Sequence, residues 1–226
     1  MAAAYKKSRF GVTEYFSTIL REHAESLLLA IALALLVRWL VLSAFVVRSD
    51  AMAPTLLEGE VVLGFRPPFG LELPFVGQLS QGRLPRPGEL VVSKCPTGLC
   101  LLRVVGVPGD RLEMQRQRLV RNQTICQYTA KPGHPQELAE SCPDFQGQIR
   151  LDPKWAEESW GPLVVPPGHV FVLNDNRIDA GDSRQWGALK VEDIQAQATA
   201  IWLSLNWGAS NGEDWLRWPR SFHRLN

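Results

Sequence analysis

The stretch "LRVVGV", residues 102–107, is a short apolar run rich in valine, and "PGD", residues 108–110, ends it. Valine favours extended strands because its branched Cβ packs well on a pleated sheet, whereas Pro-Gly-Asp favours a turn. Similar short runs punctuated by Gly and Pro recur from Glu60 onward, at residues 61–63, 90–92, 170–173 and 198–205. The pattern predicts a mostly β domain, strongly twisted or barrel-like.

Residues 26–47, upstream of these runs, form an apolar segment whose one charged residue is Arg38. As a helix it would rise about 33 Å, roughly the thickness of the hydrocarbon core of a bilayer. Inserting the arginine costs about 2.5–3.5 kcal/mol, and the large aliphatic and Phe side chains together contribute about 4–8 kcal/mol in favour. The segment therefore predicts a transmembrane anchor; a cleaved signal sequence and a buried soluble helix are the alternatives.

The charges on either side of this segment predict its orientation. Basic residues precede it at Lys6, Lys7, Arg9 and Arg21, and fewer follow it closely, at Arg48 and Arg66. The positive-inside bias places residues 1–25 in the cytoplasm and residues 48–226 outside a bacterial plasma membrane, with the lipid bilayer as a partner. The formal net charge of +1 and the scattered basic residues argue against nucleic-acid binding.

Two parts of the outer domain depart from the strand pattern. Residues 66–86 are rich in Pro, Gly and aromatics, which predicts a loop or hairpin near the membrane; Phe69 and Phe75 either dip into the bilayer or pack under the barrel. Residues 111–167 are polar and predict an inserted cap on the core.

The four cysteines predict two disulfides if the outer domain lies in an oxidising compartment. They are Cys95, Cys100, Cys126 and Cys142, and three pairings are open. A zinc site is the alternative, but the spacing fits the usual ligand patterns poorly.

Four boxes now point to one family. Residues 49–56, "SDAMAPTL", resemble S-G-S-M-x-P-T-L; residues 87–92, "PGELVV", resemble R-G-D-I-V-V; and residues 103–110 match K-R-x-V-G-x-P-G-D apart from its first position. Residues 174–187, "NDNRIDAGDSRQWG", resemble G-D-N-R-D-N-S-x-D-S-R-x-W-G. On these boxes the chain is identified as a member of the type I signal peptidases, membrane-bound serine proteases that remove signal sequences from exported proteins.

The resemblance implies a Ser/Lys mechanism whose reacting residues are missing here. In the family, the serine before the Met attacks the scissile carbonyl, and a desolvated, neutral lysine before the Arg-x-Val-Gly box takes its proton. The nucleophile position is Ala51 and the base position is Leu102. The serine that orients the base falls on Ala180.

Other positions of the family site keep their residue types. Ser49 matches the serine that helps hold the oxyanion, and Asp182 and Arg184 match an ion pair beside the site. The remaining expected site residues support the site (Met52, Pro54, Arg103) or lie along the bound peptide (Asp50, Ala51). No metal and no cofactor are implied.

We therefore predict a protein that binds signal-sequence-like or other extended segments of exported proteins, or a partner protein, without cutting them. The alternative is a type I signal peptidase that was inactivated by engineering or uses another nucleophile. Ser49, Thr55 and Ser183 offer hydroxyls, but moving the attack by two residues along a strand displaces it by about 6–7 Å.

Overall fold

A computed structural model describes residues 12–73, 77–152, 159–206, 208 and 215–225. The chain divides into two compact units, one ending at Leu40 and the other beginning at Val41. The first contains all but the last residue of the long helix α1, Val12–Val41. Large apolar side chains on its surface are exposed between residues 27 and 36. Within the described residues, no helix combines the length and the apolar character that crossing a membrane requires.

The prediction of one helix over residues 26–47 is wrong at its C-terminal end. α1 ends at Val41, and Leu42–Val46 form β1, which pairs antiparallel with β2, Glu60–Phe65. An apolar run containing Phe and Val is compatible with either structure, and here the backbone hydrogen bonds to β2 decide for the strand.

Most of the second unit is β-structure, as expected. The strands after β2 are β3 Gly70–Leu73, β4 Gly77–Gln81, β5 Leu90–Cys95, β6 Gly98–Gly106, β7 Arg111–Gln115, β8 Arg118–Arg121, β9 Thr124–Ile125, β10 Gln127–Lys131, β11 His134–Cys142, β12 Phe145–Arg150, β13 Trp160–Val164, β14 His169–Leu173, β15 Leu189–Lys190, β16 Ile194–Ser204 and β17 His223–Arg224.

The main sheet has the strand order β1-β2-β16-β5-β6-β14-β15, and β17 pairs with β16. In the described residues β1 and β15 are the two ends of this order, so the sheet is open, and the expectation of a barrel is corrected.

The segment predicted as a cap, residues 111–167, folds into two small sheets. One has the order β10-β11-β12 and the other the order β13-β7-β8-β9. Its buried Leu112 and Met114 pack in one cluster with Val105 and Phe171 of the main sheet. The cap and the main sheet therefore share a core.

One of the two expected disulfides is present. Cys126 and Cys142 are bonded to each other, which leaves their sulfur atoms unable to ligate zinc. Cys95 and Cys100 are thiols. The expectation of a second disulfide is therefore corrected: these two cysteines lie at non-opposed positions of the β5–β6 hairpin, where the register pairs Cys95 with Gly98 and Cys100 with Ser93.

The Pro- and Gly-rich segment at residues 66–86 contains the β3–β4 hairpin. Phe69 packs against the aliphatic cluster of the main sheet, which favours packing over membrane insertion for this side chain. Phe75 lies outside the described residues.

Candidate functional site

The loop that follows β1 is fixed by two apolar anchors. Met52 and Leu56, four residues apart, are 2% and 0% exposed and pack with Val47 and Val62. The Leu56 N–H donates to the Met52 carbonyl over 2.9 Å, which closes one turn between them. Ala51, directly before the first anchor, remains half-buried. Burying each anchor contributes about 1.5–3 kcal/mol, so the sequence Met-x-x-x-Leu accounts for the position of the loop.

Asn176 holds the same loop from the opposite side. Its backbone N–H donates to the Ala51 carbonyl over 2.9 Å, and its Nδ2 donates to the Asp50 carbonyl over 3.2 Å. Asn176 is buried and follows the end of β14 by three residues. These bonds tie the backbone of Asp50 and Ala51 to the segment after β14.

A cleft of about 790 Å³ opens beside Ala51. Its lining comprises residues 44–49, 51–52 and 97–101, together with Val92, Asn174, Asp179 and Gly181. Among these described lining residues the ionisable side chains are Arg48, Asp179 and Cys100, and none is a lysine or histidine. The cleft therefore presents both apolar and polar surface, and its described lining residues include no amine or imidazole that could accept a proton.

The expected site residues are only partly brought together. Ser49, Ala51 and Met52 line the cleft, whereas Leu102 does not. Leu102 is 0% exposed and packs in an aliphatic cluster with Val91 and other residues of the main sheet. A leucine gains free energy by withdrawing from water, and this favours packing within the sheet over lining an open cleft.

Ala180 lies between two residues that line the cleft, Asp179 and Gly181. It lines a smaller cavity of about 170 Å³ together with Arg177 and Arg184. The assignment of positions 51, 102 and 180 to a single catalytic site of the family type stays a prediction.

Behind the cleft, Arg103 forms a buried ion pair with Asp175. Its Nε and Nη2 donate to the two carboxylate oxygens of Asp175, each over 2.7 Å, and its Nη1 donates to the Gly88 carbonyl over 2.8 Å. Thr55 also donates to the Asp175 carboxylate. Burial alone would lower the pKa of Arg103, but the charge and hydrogen bonds of Asp175 together with the charge of Glu140 outweigh it, and the pKa is raised. The guanidinium is thus held charged inside the protein.

A second buried pair lies close to the first. The Nη2 of Arg177 donates to Glu140 over 2.7 Å, and the Tyr128 hydroxyl donates to the same carboxylate over 2.8 Å. Burial and the Glu140 charge raise the pKa of Tyr128, so the phenol remains a donor.

Asp182 and Arg184 form an ion pair with an N–O distance of 2.8 Å. The Asp182 side chain also caps the short helix α2, Ser183–Trp186, by accepting from the Arg184 N–H. Arg184 extends the network by donating to the carbonyls of Arg177 and Asp179. Pro54 belongs to a separate cavity, which Arg103 also lines.

Sequence reasoning did not assign roles to Asp175 and Asn176. A signal for Asp175 existed, because a buried arginine next to a strand requires a carboxylate, and "NDN" at residues 174–176 offers one. Nothing in the sequence alone indicated that Asn176 would donate hydrogen bonds to the carbonyls of both Asp50 and Ala51.

Comparison with known proteins shows which family this chain belongs to. The family model described as "Signal peptidase, peptidase S26" matches residues 20–203, which include all four boxes and most of both units. The chain belongs to this signal peptidase family.

Individual members of the signal peptidase family are distant in sequence. Signal peptidase I of Pseudomonas fluorescens is 26% identical over 208 residues, covering 82% of this chain and 73% of its own. Signal peptidase I S of Bacillus subtilis strain 168 is 28% identical over 163 residues, covering 72% of this chain and 77% of its own. A crystal structure of a signal peptidase I from Enterococcus faecalis V583 overlaps 52% of this chain and 98% of its own at 20% identity and a TM-score of 0.35.

Proposed function

We propose that this member of the signal peptidase family binds signal-sequence-like or other extended segments of exported proteins, or a partner protein, without cleaving them. The observation that carries the proposal is Ala51. Ala51 lines the cleft and stands where the resemblance assigns the nucleophile, and its methyl group can neither attack a carbonyl nor carry an acyl group. Leu102, at the base position, has no proton acceptor and is fully buried.

The cleft is suited to an extended chain. In the described sheet β1 has a single neighbour, β2, so one edge of β1 offers unpaired backbone groups. Residues 44–46 of this strand line the cleft, as do the small side chains of Ser49 and Ala51. A peptide that pairs with such an edge gains main-chain hydrogen bonds, while shallow apolar pockets select its small side chains.

The second candidate is a peptidase with another nucleophile, and the geometry narrows it to Ser49 among the hydroxyls considered. Thr55 is bonded to Asp175, and the buried Ser183 hydroxyl accepts from the Val172 N–H over 3.0 Å. Ser49 is exposed and lines the cleft, but none of the described lining residues supplies a lysine or histidine to accept its proton.

The deciding experiment incubates the purified protein in detergent with a preprotein carrying a signal sequence. Four forms are compared: the unmodified chain, Ala51→Ser, Leu102→Lys and the double variant. We expect the unmodified chain and both single variants to bind the preprotein and leave it intact. Cleavage by the unmodified chain, removed by Ser49→Ala, would establish the peptidase instead.

We also propose that the chain attaches to a bacterial plasma membrane, with the β unit on its outer side. Leu28, Leu29 and Leu33 of α1 are 67%, 72% and 58% exposed, which is costly in water and favourable in contact with lipid. The Cys126–Cys142 disulfide supports an oxidising compartment for the β unit. Full-length protein should stay with membranes after an alkaline carbonate wash and be released by detergent; release by carbonate would contradict the attachment.

A further inference from the structure

Cys95 and Cys100 occupy the tip of the β5–β6 hairpin. Cys95 is opposite Gly98 and Cys100 is opposite Ser93, so the two cysteines are diagonal neighbours across the antiparallel pair. Because side chains alternate along a strand and directly opposed residues share a face, Cys95 and Cys100 lie on the same face of the hairpin. Both are partly exposed thiols.

The surroundings of the two thiols differ from those of an inert core cysteine. Both side chains lie at the margin of the aliphatic cluster that contains Val91 and Leu102. The Thr97 hydroxyl is 3.6 Å from the Cys100 sulfur, and Cys100 lines the cleft beside Ala51. A reagent in the cleft therefore has access to a sulfur atom that has a second thiol and a hydroxyl as neighbours.

The two thiols are chemically unequal. A hydrogen bond from Cys95, assisted by Thr97, lowers the pKa of Cys100 to about 7. The same interaction, together with burial, raises the pKa of Cys95. Since the thiolate is the reactive form, Cys100 has the character of an attacking thiol and Cys95 that of a resolving thiol.

We propose that Cys95 and Cys100 form a reversible thiol–disulfide exchange site in the wall of the cleft, with glutathione disulfide or a similar small disulfide as the oxidant. The Cys100 thiolate attacks one sulfur of the oxidant, which breaks its S–S bond, forms a mixed disulfide and releases one thiolate. The Cys95 thiolate then attacks the Cys100 sulfur and releases the second thiolate. The oxidant is reduced to two thiols, which take up the two protons lost by the cysteines.

The hairpin geometry makes this bond readily reducible. Diagonal residues of an antiparallel pair have Cα atoms about 7–8 Å apart, and disulfides require about 4.4–6.8 Å. Closing the bond must therefore pull the hairpin tip out of its register, and the resulting strain favours reduction. The segment that moves, residues 97–101, forms one wall of the cleft.

The test equilibrates the full-length protein with glutathione buffers of graded reduced-to-oxidised ratio and then alkylates the remaining thiols. Mass spectrometry of the intact chain and its peptides should show Cys95 and Cys100 lost together as one internal disulfide, restored by excess reduced glutathione. Cys126 and Cys142, which are 0% and 7% exposed, should stay bonded throughout and serve as the internal control.

Two variants separate the roles of the sulfurs. Cys95→Ser retains a hydrogen-bond donor beside Cys100 and should accumulate a stable mixed disulfide with glutathione. Cys100→Ser should react about tenfold more slowly at pH 7, because the remaining thiol is largely protonated. Equal rates in the two variants, or an unmodified chain that retains both alkylatable thiols under fully oxidising buffer, would overturn the proposal. Neither readout requires peptide binding.

Discussion

Leu102 and Arg103 are consecutive residues of β6, yet their side chains lie on opposite faces of the sheet, one in an aliphatic cluster and the other in an ion pair. Arg103 points to the polar face, where Asp175, Gly88 and Thr55 satisfy its guanidinium. Leu102 points to the aliphatic cluster and is completely buried there. One step along a strand thus separates a charge network from hydrocarbon.

The contrast teaches where this chain keeps the features of its family and where it departs from them. The Ala51 loop is held by the apolar anchors Met52 and Leu56 and by hydrogen bonds from the buried Asn176, and the buried Arg103 beneath it is paired with Asp175. The two positions that would exchange a proton and carry an acyl group under the family mechanism hold aliphatic side chains. Retained architecture without the reacting groups is what the proposed binding function requires.

The largest effect on stability is expected when the buried ion pair between Arg103 and Asp175 is broken. Asp175→Asn leaves the Arg103 charge buried without a counter-charge, and we expect a loss of about 3–5 kcal/mol in the free energy of unfolding. Urea denaturation measures this. The control is Lys190→Ala, which removes an exposed ion pair to Glu192 and should cost less than about 1 kcal/mol. A loss below 1 kcal/mol for Asp175→Asn would show that this ion pair contributes little to the free energy of unfolding.

The next effect concerns the disulfide that links Cys126, directly before β10, to Cys142 at the end of β11. Replacing Cys126 and Cys142 by serine removes a cross-link between residues 16 apart, and we expect a loss of about 3 kcal/mol. Cys95→Ser, which breaks no disulfide, is the matched control and should change the stability by less than about 1 kcal/mol. Similar losses in both proteins would show that the cross-link is energetically neutral.

A smaller effect is predicted from acidification. Burial alone would raise the pKa of Asp110, but hydrogen bonds from Arg121, the Val107 N–H and Asn122 lower it. A carboxylate with a lowered pKa stabilises the fold above its unfolded value of about 4, and this contribution is lost as the pH falls through the folded value.

Asp110→Asn should therefore be less stable than the unmodified chain at pH 7, by about 1–2 kcal/mol. The gap should narrow when unfolding is measured at progressively lower pH below 4. A constant gap between the two proteins over that range would exclude Asp110 as a contributor to acid sensitivity.

The smallest effect is expected at the cleft. Ala51→Ser adds one hydroxyl at a half-buried position and should alter the stability by less than about 0.5 kcal/mol, with peptide affinity changed by less than about threefold. Asn176→Ala, which removes the bond to the Asp50 carbonyl, should weaken peptide binding by about tenfold. Equal affinities of the two variants for the peptide in a fluorescence titration would show that peptide binding does not depend on the hydrogen bond from Asn176 to the Asp50 carbonyl.

Much of this organisation was predictable from local patterns. Valine-rich runs ended by Pro-Gly-Asp predicted the strands correctly, because both signals depend on neighbouring residues alone. The four boxes likewise predicted the family. The end of α1 was not predictable, because "LSAFV" at residues 42–46 suits a helix or a strand, and only its partner Glu60–Phe65 decides between them.

The candidate site shows the same limit. The box predicted Ala51 at a loop, but the burial of Leu102 and the cavity beside Ala180 depend on contacts between distant segments. The cysteine count predicted two disulfides, whereas the structure contains one and has Cys95 and Cys100 as thiols, because spacing in sequence does not reveal their diagonal register. Asn176 was missed because its shorter hydrogen bonds go to the backbone carbonyls of Asp50 and Ala51, which every residue type carries.

The common core of the cap and the main sheet couples the unfolding of these two parts of the β unit. Trp160 of β13 stacks on Phe171 of β14 with ring centroids 5.3 Å apart, and Leu112 and Met114 pack beside them. Removing residues 111–164 would expose Phe171 and Leu173 to water, and such exposed apolar surface promotes aggregation. We therefore expect the cap and the main sheet to unfold in a single cooperative transition, and the β unit to lose stability if the cap is removed.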